Sequence, residues 1–539
     1  MFVDCHSLPD GHRIETDLVI VGAGPAGITI ARELNGSGIR IALLEAGGME
    51  PSQESQQLYE GESIGWPVTD LRIVRLRYFG GTSNHWTGFC RPCERIDFEA
   101  RKGIPYGEWP ITNEELDPYY ARAQEICQLG PYEYGLDFWE QQSGLTRLPL
   151  DDSLVETKLI QYSNPTRFGR LYEPELDASE NITIYLNANV LELEPDRTGT
   201  RVQRAVIATY QDTTLDAVAD TYVVACGGLE NPRLLLNSRG KTAGGLANGN
   251  DLVGRFFCGH FTVDTNSLLL GRDEQPPPLY MLPAVPARRQ GLPDDAPLRL
   301  RAFLCLPEDL TRDEGLCNMN SELYPIDPWN SSGTARQSLD LIRENIDKFR
   351  GAEYLPKHLR RVMQDLSRRH HAEPPPMPDL DIARYPSNSG VYSLHSYVEQ
   401  LPNPHSRISL SPRKDRFGKN RLQIDVQFTG AENHSMKRFF EYLAQAFGKA
   451  DIGRVRIDLP HDAVQVRGGG ATHHHGTTRM HEDPRYGVVD RNCRSHEVEN
   501  LYLGGSSVFT RAGVWNPTLT IVALAVRMAA HLQENFDGR

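Results

Sequence analysis

Three glycines near the start of the chain could bind a phosphate group. Gly22, Gly24 and Gly27 have GxGxxG spacing, and they stand between a short apolar run at 17–21 and a helix-like segment at 28–34. This strand–turn–helix context is the one that dinucleotide-binding turns require. Gly22 would allow the tight turn, Gly24 would let the backbone approach a pyrophosphate, and Gly27 would let the helix pack on the strand. The sequence therefore predicts a dinucleotide site rather than an ordinary glycine-rich turn.

A carboxylate stands where the ribose of a dinucleotide would lie. Glu45 follows a second strand-like run at 40–44 and comes 23 residues after Gly22. An acid at this distance can hold ribose hydroxyls. The pattern alone does not choose between NAD and FAD.

A second glycine-rich segment, at 78–88, combines small polar residues with a histidine and a tryptophan. Adjacent glycines let a backbone approach a flat cofactor and donate N–H groups to it. An ordinary surface loop is the alternative, but a tryptophan is costly to expose. We expect the cofactor-contacting residues of this loop to be Gly81, Thr82, Ser83, Asn84, His85 and Trp86.

The C-terminal region carries three consecutive histidines, at 473–475, and Asn516. Neighbours in an extended chain point to opposite faces, so three such rings do not easily share one metal ion. No paired carboxylate accompanies them, and the Cys90/Cys93 pair lacks a second pair at zinc spacing. We predict no metal. A general base is favoured instead, because the pKa of histidine lies near neutral pH.

Flanking elements would position these residues. A strand leads to Gly504 and Gly505, and a helix is predicted over 521–530, with Asn516 as its N-cap and Pro517 in its first turn. Strand-like runs occupy 182–192, 201–210 and 217–225, and a helix-like run occupies 230–236. Between 263 and 470 the pattern predicts helices at 337–349, 356–370 and 433–447, and strands at 407–410 and 421–428.

Composition narrows the class of protein. The chain has 539 residues and a net charge of −14, and an acidic surface argues against nucleic-acid binding. Apolar residues make up 39%, as in ordinary globular proteins. No apolar run is long enough to span a membrane, and no secretory signal is visible. Nine scattered cysteines suit reduced thiols, and we expect a cytoplasmic protein.

Together these segments resemble the glucose–methanol–choline (GMC) oxidoreductases. The glycine turn, the later Gly-Gly-Thr-Ser loop, and a His-x-x-Gly-Thr element at 473–477 followed 43 residues later by Asn516 carry the resemblance. The version with His and Asn looks most like the pyranose oxidase-like sugar oxidoreductases. The resemblance covers nearly the whole chain and has the least support at 263–400.

The resemblance implies an α/β fold, α+β overall, with FAD as cofactor. A Rossmann-like FAD-binding domain (14–105, 180–262 and 470–539) would be interleaved with a mixed-sheet substrate-binding domain (106–179 and 263–469). Val190 would pass the adenine, and Gly505 and Ser506 would also contact the cofactor. His85 falls where a related histidine is joined covalently to the flavin. Asn84 replaces the threonine before it, so the alternative is a His85 ring that packs beside the flavin.

The implied activity is oxidation of an alcohol CH–OH group to a carbonyl. His473 would remove the hydroxyl proton, and Asn516 would orient the same oxygen against flavin N5. His474 and His475 have no matching role. The substrate would be a sugar, glycoside or polyol, and the acceptor oxygen, a quinone or a partner protein. Alternatives are oxidation of a sterol or simple alcohol, a non-catalytic flavin-binding subunit, or an NAD-linked enzyme.

Overall fold

A computed structural model describes residues 1–163, 166–239, 244–271, 276–281, 285–287, 298–325, 390–459 and 472–538. Its strands, in chain order, are β1 Phe2–Asp4, β2 Arg13–Glu15, β3 Leu18–Val21, β4 Ile41–Leu44, β5 Gly61–Ser63, β6 Phe89–Cys90, β7 Glu156–Tyr162, β8 Ile182–Leu186, β9 Asn189–Pro195, β10 Val202–Ala208, β11 Thr214–Val218, β12 Thr221–Val224, β13 His260–Leu270, β14 Val285–Ala287, β15 Leu298–Cys305, β16 Met319–Pro325, β17 Val391–Glu399, β18 Arg407–Lys414, β19 Asn420–Asp425, β20 Gly453–Arg456 and β21 Leu501–Leu503.

The described helices are α1 Pro25–Glu33, α2 Gln53–Gln56, α3 Arg95–Phe98, α4 Asn113–Ile126, α5 Leu136–Ser143, α6 Phe168–Asp177, α7 Gly227–Asn237, α8 Glu308–Glu314, α9 Ala431–Ala450 and α10 Thr518–Asp537. None of these helices is long and apolar enough to cross a membrane. The predicted helices at 337–349 and 356–370 lie outside the described residues.

A six-stranded parallel sheet forms the first layer, in the order β1-β8-β4-β3-β12-β21. All residues of β3, β4, β12 and β21 are buried, as expected for parallel strands covered on both faces. Helices α1 and α10 pack on each other and on this sheet. The predicted strand, turn, helix and second strand at the start of the chain are confirmed, with α1 beginning at Pro25.

The predicted single strand at 182–192 is wrong, because it is two strands that join different sheets. Asn187 has a φ of +57°, a left-handed conformation that interrupts an extended chain. As a result β8 pairs with β4 in the parallel sheet, whereas β9 pairs with β10 in a four-stranded sheet of order β2-β11-β10-β9.

An eight-stranded sheet makes the second large layer, in the order β20-β13-β17-β16-β15-β7-β6, with β14 beside β15. Its described pairs are antiparallel, and one face packs against α9, which extends the predicted helix at 433–447 by a few residues at each end. A three-stranded sheet, β18-β19-β5, mixes parallel and antiparallel pairs and confirms the strands predicted near 407 and 421. The predicted domain boundaries stay a prediction.

Candidate functional site

An open cleft runs along the carboxyl ends of β3, β4 and β12. Ligands of open parallel sheets bind at this edge. Most of the residues singled out in the sequence line the cleft together, although they come from distant parts of the chain. They are Gly22, Gly24, Glu45, Gly81, Thr82, Ser83, Trp86, Val190, His473, Gly505 and Ser506.

The first glycine turn shows why each glycine is needed. Gly22 has a φ of +103°, and a Cβ there would lie 2.8 Å from the carbonyl oxygen of Ala225. A Cβ on Gly27 would lie 1.9 Å from the carbonyl oxygen of Gly22, so α1 packs against the turn only without a side chain. A Cβ on Gly24 would meet no protein atom within 4 Å and would enter the cleft.

The Glu45 carboxylate sits at the end of β4, as predicted. It is 5% exposed and accepts hydrogen bonds from the backbone N–H groups of Ala23 (3.1 Å) and Gly47 (2.9 Å). Burial raises its pKa, and these hydrogen bonds and Arg77 act in the opposite direction. Glu45 therefore braces the glycine turn while it faces the cleft, and its ribose contact stays a prediction.

The second glycine loop packs directly on the first. The N–H of Gly80 donates to the carbonyl of Ala23 at 2.9 Å, and a Cβ on Gly81 would lie 3.1 Å from Cα of Gly24. Ser83 Oγ donates to the Gly80 carbonyl at 2.6 Å, and Trp86 Nε1 donates to a backbone carbonyl at 2.7 Å. These contacts fix the loop over the place where a pyrophosphate would lie.

Asn84 and His85 belong to the same loop but are not among the residues that line the cleft. Asn84 Nδ2 donates to the carbonyl of Phe79 at 2.9 Å. Burial and the nearby Arg167 lower the pKa of His85 to about 4, and the Val74 backbone opposes this. The imidazole is therefore a packed, neutral ring in this structure.

We expect the flavin of the purified protein to be released by acid. Because His85 is not among the residues that line the cleft and asparagine precedes it, no covalent bond should retain the cofactor. Precipitation with trichloroacetic acid should leave all yellow colour in the supernatant. Flavin that stays with the protein pellet would contradict this, and an untreated aliquot measures the total.

The histidine segment is held in place by two elements. Ser506 Oγ donates to the carbonyl of His474 at 2.7 Å, and the N–H of Gly476 donates to the carbonyl of Ser506 at 3.2 Å. A Cβ on Gly228, in the first turn of α7, would lie 2.0 Å from the carbonyl oxygen of His474. The end of β21 and the start of α7 thus clamp the segment at the edge of the cleft.

The His473 ring is partly buried and bound to a second histidine. Its Nδ1 lies 2.6 Å from Nε2 of His260, the first residue of β13. Burial lowers the pKa of His473 to about 4. The neutral ring is the form that can accept a proton.

The other two histidines of the triplet make different contacts, although His474 also lines the cleft. His475 is fully buried and stacks on Phe509 with ring centroids 5.2 Å apart, and His474 lies 6.0 Å from the Phe257 ring. Among the residues that the structure describes, no three His, Cys, Asp or Glu side chains form a group that could hold a metal ion.

Asn516 precedes the last helix and is partly buried, but it is not the N-cap that the sequence predicted. The cap is Pro517, whose φ of −75° and ψ of −11° are already helical. The first hydrogen bond of the helix runs from the N–H of Ile521 to the carbonyl of Pro517 at 2.8 Å, so the cap position falls on the proline, one residue later than predicted. Pro517 and Thr518 line the cleft, so the positive end of α10 borders it.

Sequence reasoning missed a charged cluster in the cleft wall. Arg75 Nη1 forms a buried ion pair with Glu230 Oε1 at 2.8 Å, and its guanidinium lies 3.9 Å from the centroid of the Tyr59 ring. Phe417 and Lys419, from the turn between β18 and β19, also line the cleft. No short motif marks these residues. His260, far from His473 in sequence, was missed for the same reason.

Comparisons with known proteins agree with this geometry. Residues 17–246 match the family model described as FAD dependent oxidoreductase, and residues 402–525 match the one described as GMC oxidoreductase. Fructose dehydrogenase large subunit from Gluconobacter japonicus is 23% identical over 96% of this chain and 97% of its own. A 2-methyl-1,2-propanediol dehydrogenase from Mycolicibacterium austroafricanum is 23% identical over 97% and 96%.

A solved structure has a similar fold. Pyridoxine 4-oxidase from Mesorbium loti superposes with a TM-score of 0.54 at 17% identity, covering 96% of this chain and 99% of that one.

Proposed function

This chain belongs to the GMC oxidoreductase family, and we propose that with FAD bound it oxidises an alcohol CH–OH group of a sugar, glycoside or polyol to a carbonyl. The observation that carries this proposal is the place of His473, a neutral histidine on the wall of the cleft that the two glycine loops form.

The cleft suits FAD. Gly24 leaves open space where a Cβ would stand, Glu45 lies at the end of β4, and the start of α10 borders the same cleft. We propose that those residues of the predicted set that line the cleft hold FAD there. FAD, when bound, supplies the hydride acceptor.

The protein's own groups handle the proton and the orientation. His473 would accept the hydroxyl proton at Nε2, since its Nδ1 faces His260. Asn516 would hydrogen-bond the same oxygen and fix the carbon for hydride transfer. A ring held neutral by burial needs no prior deprotonation at neutral pH.

Side chains on one face of the eight-stranded sheet support the proposal that the substrate carries several hydroxyl groups. The hydroxyls of Tyr324 and Tyr397 donate to Glu322 Oε1 at 2.9 and 3.3 Å, and Glu322 is paired with the buried Arg301. Tyr397 also lies 5.5 Å from the His260 ring, so this face adjoins the histidines. Balanced charges with phenolic hydroxyls suit neutral ligands rich in hydroxyl groups.

Anaerobic bleaching of the flavin tests the proposal. The purified yellow protein is mixed without oxygen with a panel of sugars, glycosides, polyols, simple alcohols and a sterol. We expect bleaching by a polyhydroxylated compound. Bleaching by the sterol or simple alcohols alone would assign the alternative substrates, and no bleaching by any compound would indicate a non-catalytic flavin subunit.

Readmission of air then reports the electron acceptor. Rapid return of the colour would identify an oxidase, whereas a slow return would leave a quinone or a partner protein as acceptor.

We also propose that the protein works in a reducing compartment such as the cytoplasm, which the nine unpaired cysteines support.

We expect the rate constant of flavin reduction to be flat at neutral pH and to fall in acid. Burial lowers the pKa of His473 to about 4, and only the neutral imidazole accepts a proton. The rate should therefore be constant from about pH 6 to 8 and decline as the pH falls through about 4. Stopped-flow reduction at saturating alcohol measures it. An inflection near pH 6.5, the usual value for histidine, would contradict a buried base.

A further inference from the structure

The contact between His473 and His260 leaves room for only one proton. Nδ1 of His473 and Nε2 of His260 are 2.6 Å apart, a distance at which one nitrogen must donate and the other accept. Burial lowers the pKa of both rings, so both are neutral near pH 7. Each neutral ring carries a single proton. The ring that donates in this contact therefore has an unprotonated second nitrogen, and the ring that accepts has a protonated second nitrogen.

Two arrangements are open to such a pair. If His473 donates, its Nε2 is an unprotonated acceptor that can take a proton from a substrate hydroxyl. If His260 donates, Nε2 of His473 must carry a proton and cannot act as a base. The direction of this one hydrogen bond decides whether His473 can do the chemistry.

The position of the two rings favours donation by His473. His473 lines the cleft, whereas His260 is not among the residues that line it. Since Nδ1 of His473 faces His260, Nε2 of His473 is the nitrogen of this pair that can meet a substrate hydroxyl. Donation from Nδ1 of His473 to Nε2 of His260 is the arrangement that leaves this nitrogen unprotonated.

Other contacts hold the His260 ring in this orientation. It is 4% exposed, and the edge-to-face ring of Tyr397 lies 5.5 Å away. His475 is 6.4 Å from it by ring centroids and makes no hydrogen bond to His473. His260 is therefore the histidine in direct contact with the candidate base.

We propose that His260 is a positioning residue, whose unprotonated Nε2 accepts the Nδ1–H of His473 and so keeps Nε2 of His473 available as the base. When a hydroxyl O–H bond breaks, the proton forms an N–H bond at that Nε2, and the C–H electron pair leaves as hydride to the bound FAD. The hydrogen bond to His260 then stabilises the imidazolium. This proposal rests on the proposed function, but the tautomer can be measured without any substrate.

Nuclear magnetic resonance of the ¹⁵N-histidine-labelled holoenzyme tests the tautomer without any substrate. The His473 signals are assigned by their loss in His473→Gln. We expect Nδ1 of His473 to be protonated and Nε2 unprotonated at neutral pH, and His260→Leu to abolish this preference. A wild-type His473 that carries its proton on Nε2 would overturn the proposal, whatever the enzyme activity.

Anaerobic flavin reduction tests the consequence. His260→Leu removes the acceptor at similar volume, and we expect a rate about 10–100-fold lower at saturating alcohol, as when the partner that orients a functional histidine is lost. The acidic limb of the pH profile should move to lower pH, because the imidazolium loses its partner. His260→Gln, which places an amide oxygen near the position of Nε2, should recover most of the rate.

Matched controls separate positioning from folding. Each variant's bound FAD, from its visible absorbance per protein, reports whether the cleft is intact. His434→Leu makes the same change on the exposed surface of α9 and should reduce flavin at the wild-type rate. A His260→Leu protein with full FAD and the wild-type rate and pH profile would overturn the role. If no alcohol bleaches the wild type, the proposed function fails while the NMR result still decides the tautomer.

Discussion

Replacing His473 with alanine should slow reduction of the flavin by an alcohol about 10²–10⁴-fold while FAD stays bound, the range expected when a general base is lost. His473 lines the cleft, and its Nδ1 is occupied by His260, so no other atom of the ring replaces Nε2. The FAD loops lie on other segments, which explains why the cofactor should remain. Anaerobic stopped-flow absorbance measures the rate constant.

The control for this change is His434→Ala, an exposed histidine on α9. It should reduce at the wild-type rate. A His473→Ala protein that carries full FAD and reduces it at the normal rate would remove His473 from the mechanism. A protein that loses FAD would instead show that the residue supports the cleft, and His473→Gln, which keeps the volume, would then be compared.

The parts of the site that the sequence predicts are those in short local patterns. The glycine turn and Glu45 can be predicted because strand, turn, helix and acid follow one another within 30 residues. Each glycine of the turn also has its own physical reason to be a glycine. The His-x-x-Gly-Thr element is found through resemblance to a family. Gly22, Gly24 and Glu45 from the first pattern and His473 from the second line one cleft.

What the sequence does not reveal depends on contacts between distant segments. His260 meets His473 only because β13 begins beside the histidine segment, and no spacing rule connects residues 213 positions apart. The division of 182–192 into two strands depends on a left-handed Asn187, which an alternating pattern does not report. The cap at Pro517 depends on a backbone already helical at the proline.

Gly27→Ala should lower the stability of the protein and deplete it of FAD. The new Cβ would stand 1.9 Å from the carbonyl oxygen of Gly22, and a backbone atom cannot rotate out of the way as a side chain can. We expect a loss of about 3 kcal/mol in the free energy of unfolding, at the upper end of overpacking costs. Thermal unfolding of the apoprotein and the ratio of flavin to protein absorbance measure the two effects.

Two other glycines give matched comparisons for this change. Gly24→Ala places its methyl group in the cleft, away from other protein atoms, so the apoprotein should unfold at the wild-type temperature while FAD affinity falls at least about tenfold, or about 1.4 kcal/mol. Gly448→Ala, inside α9 with no atom within 4 Å of its Cβ, should leave FAD content unchanged and stabilise the helix by about 0.5–1 kcal/mol. If Gly27→Ala and Gly24→Ala lowered the unfolding temperature equally, the separation between a packing glycine and a cofactor-facing glycine would be wrong.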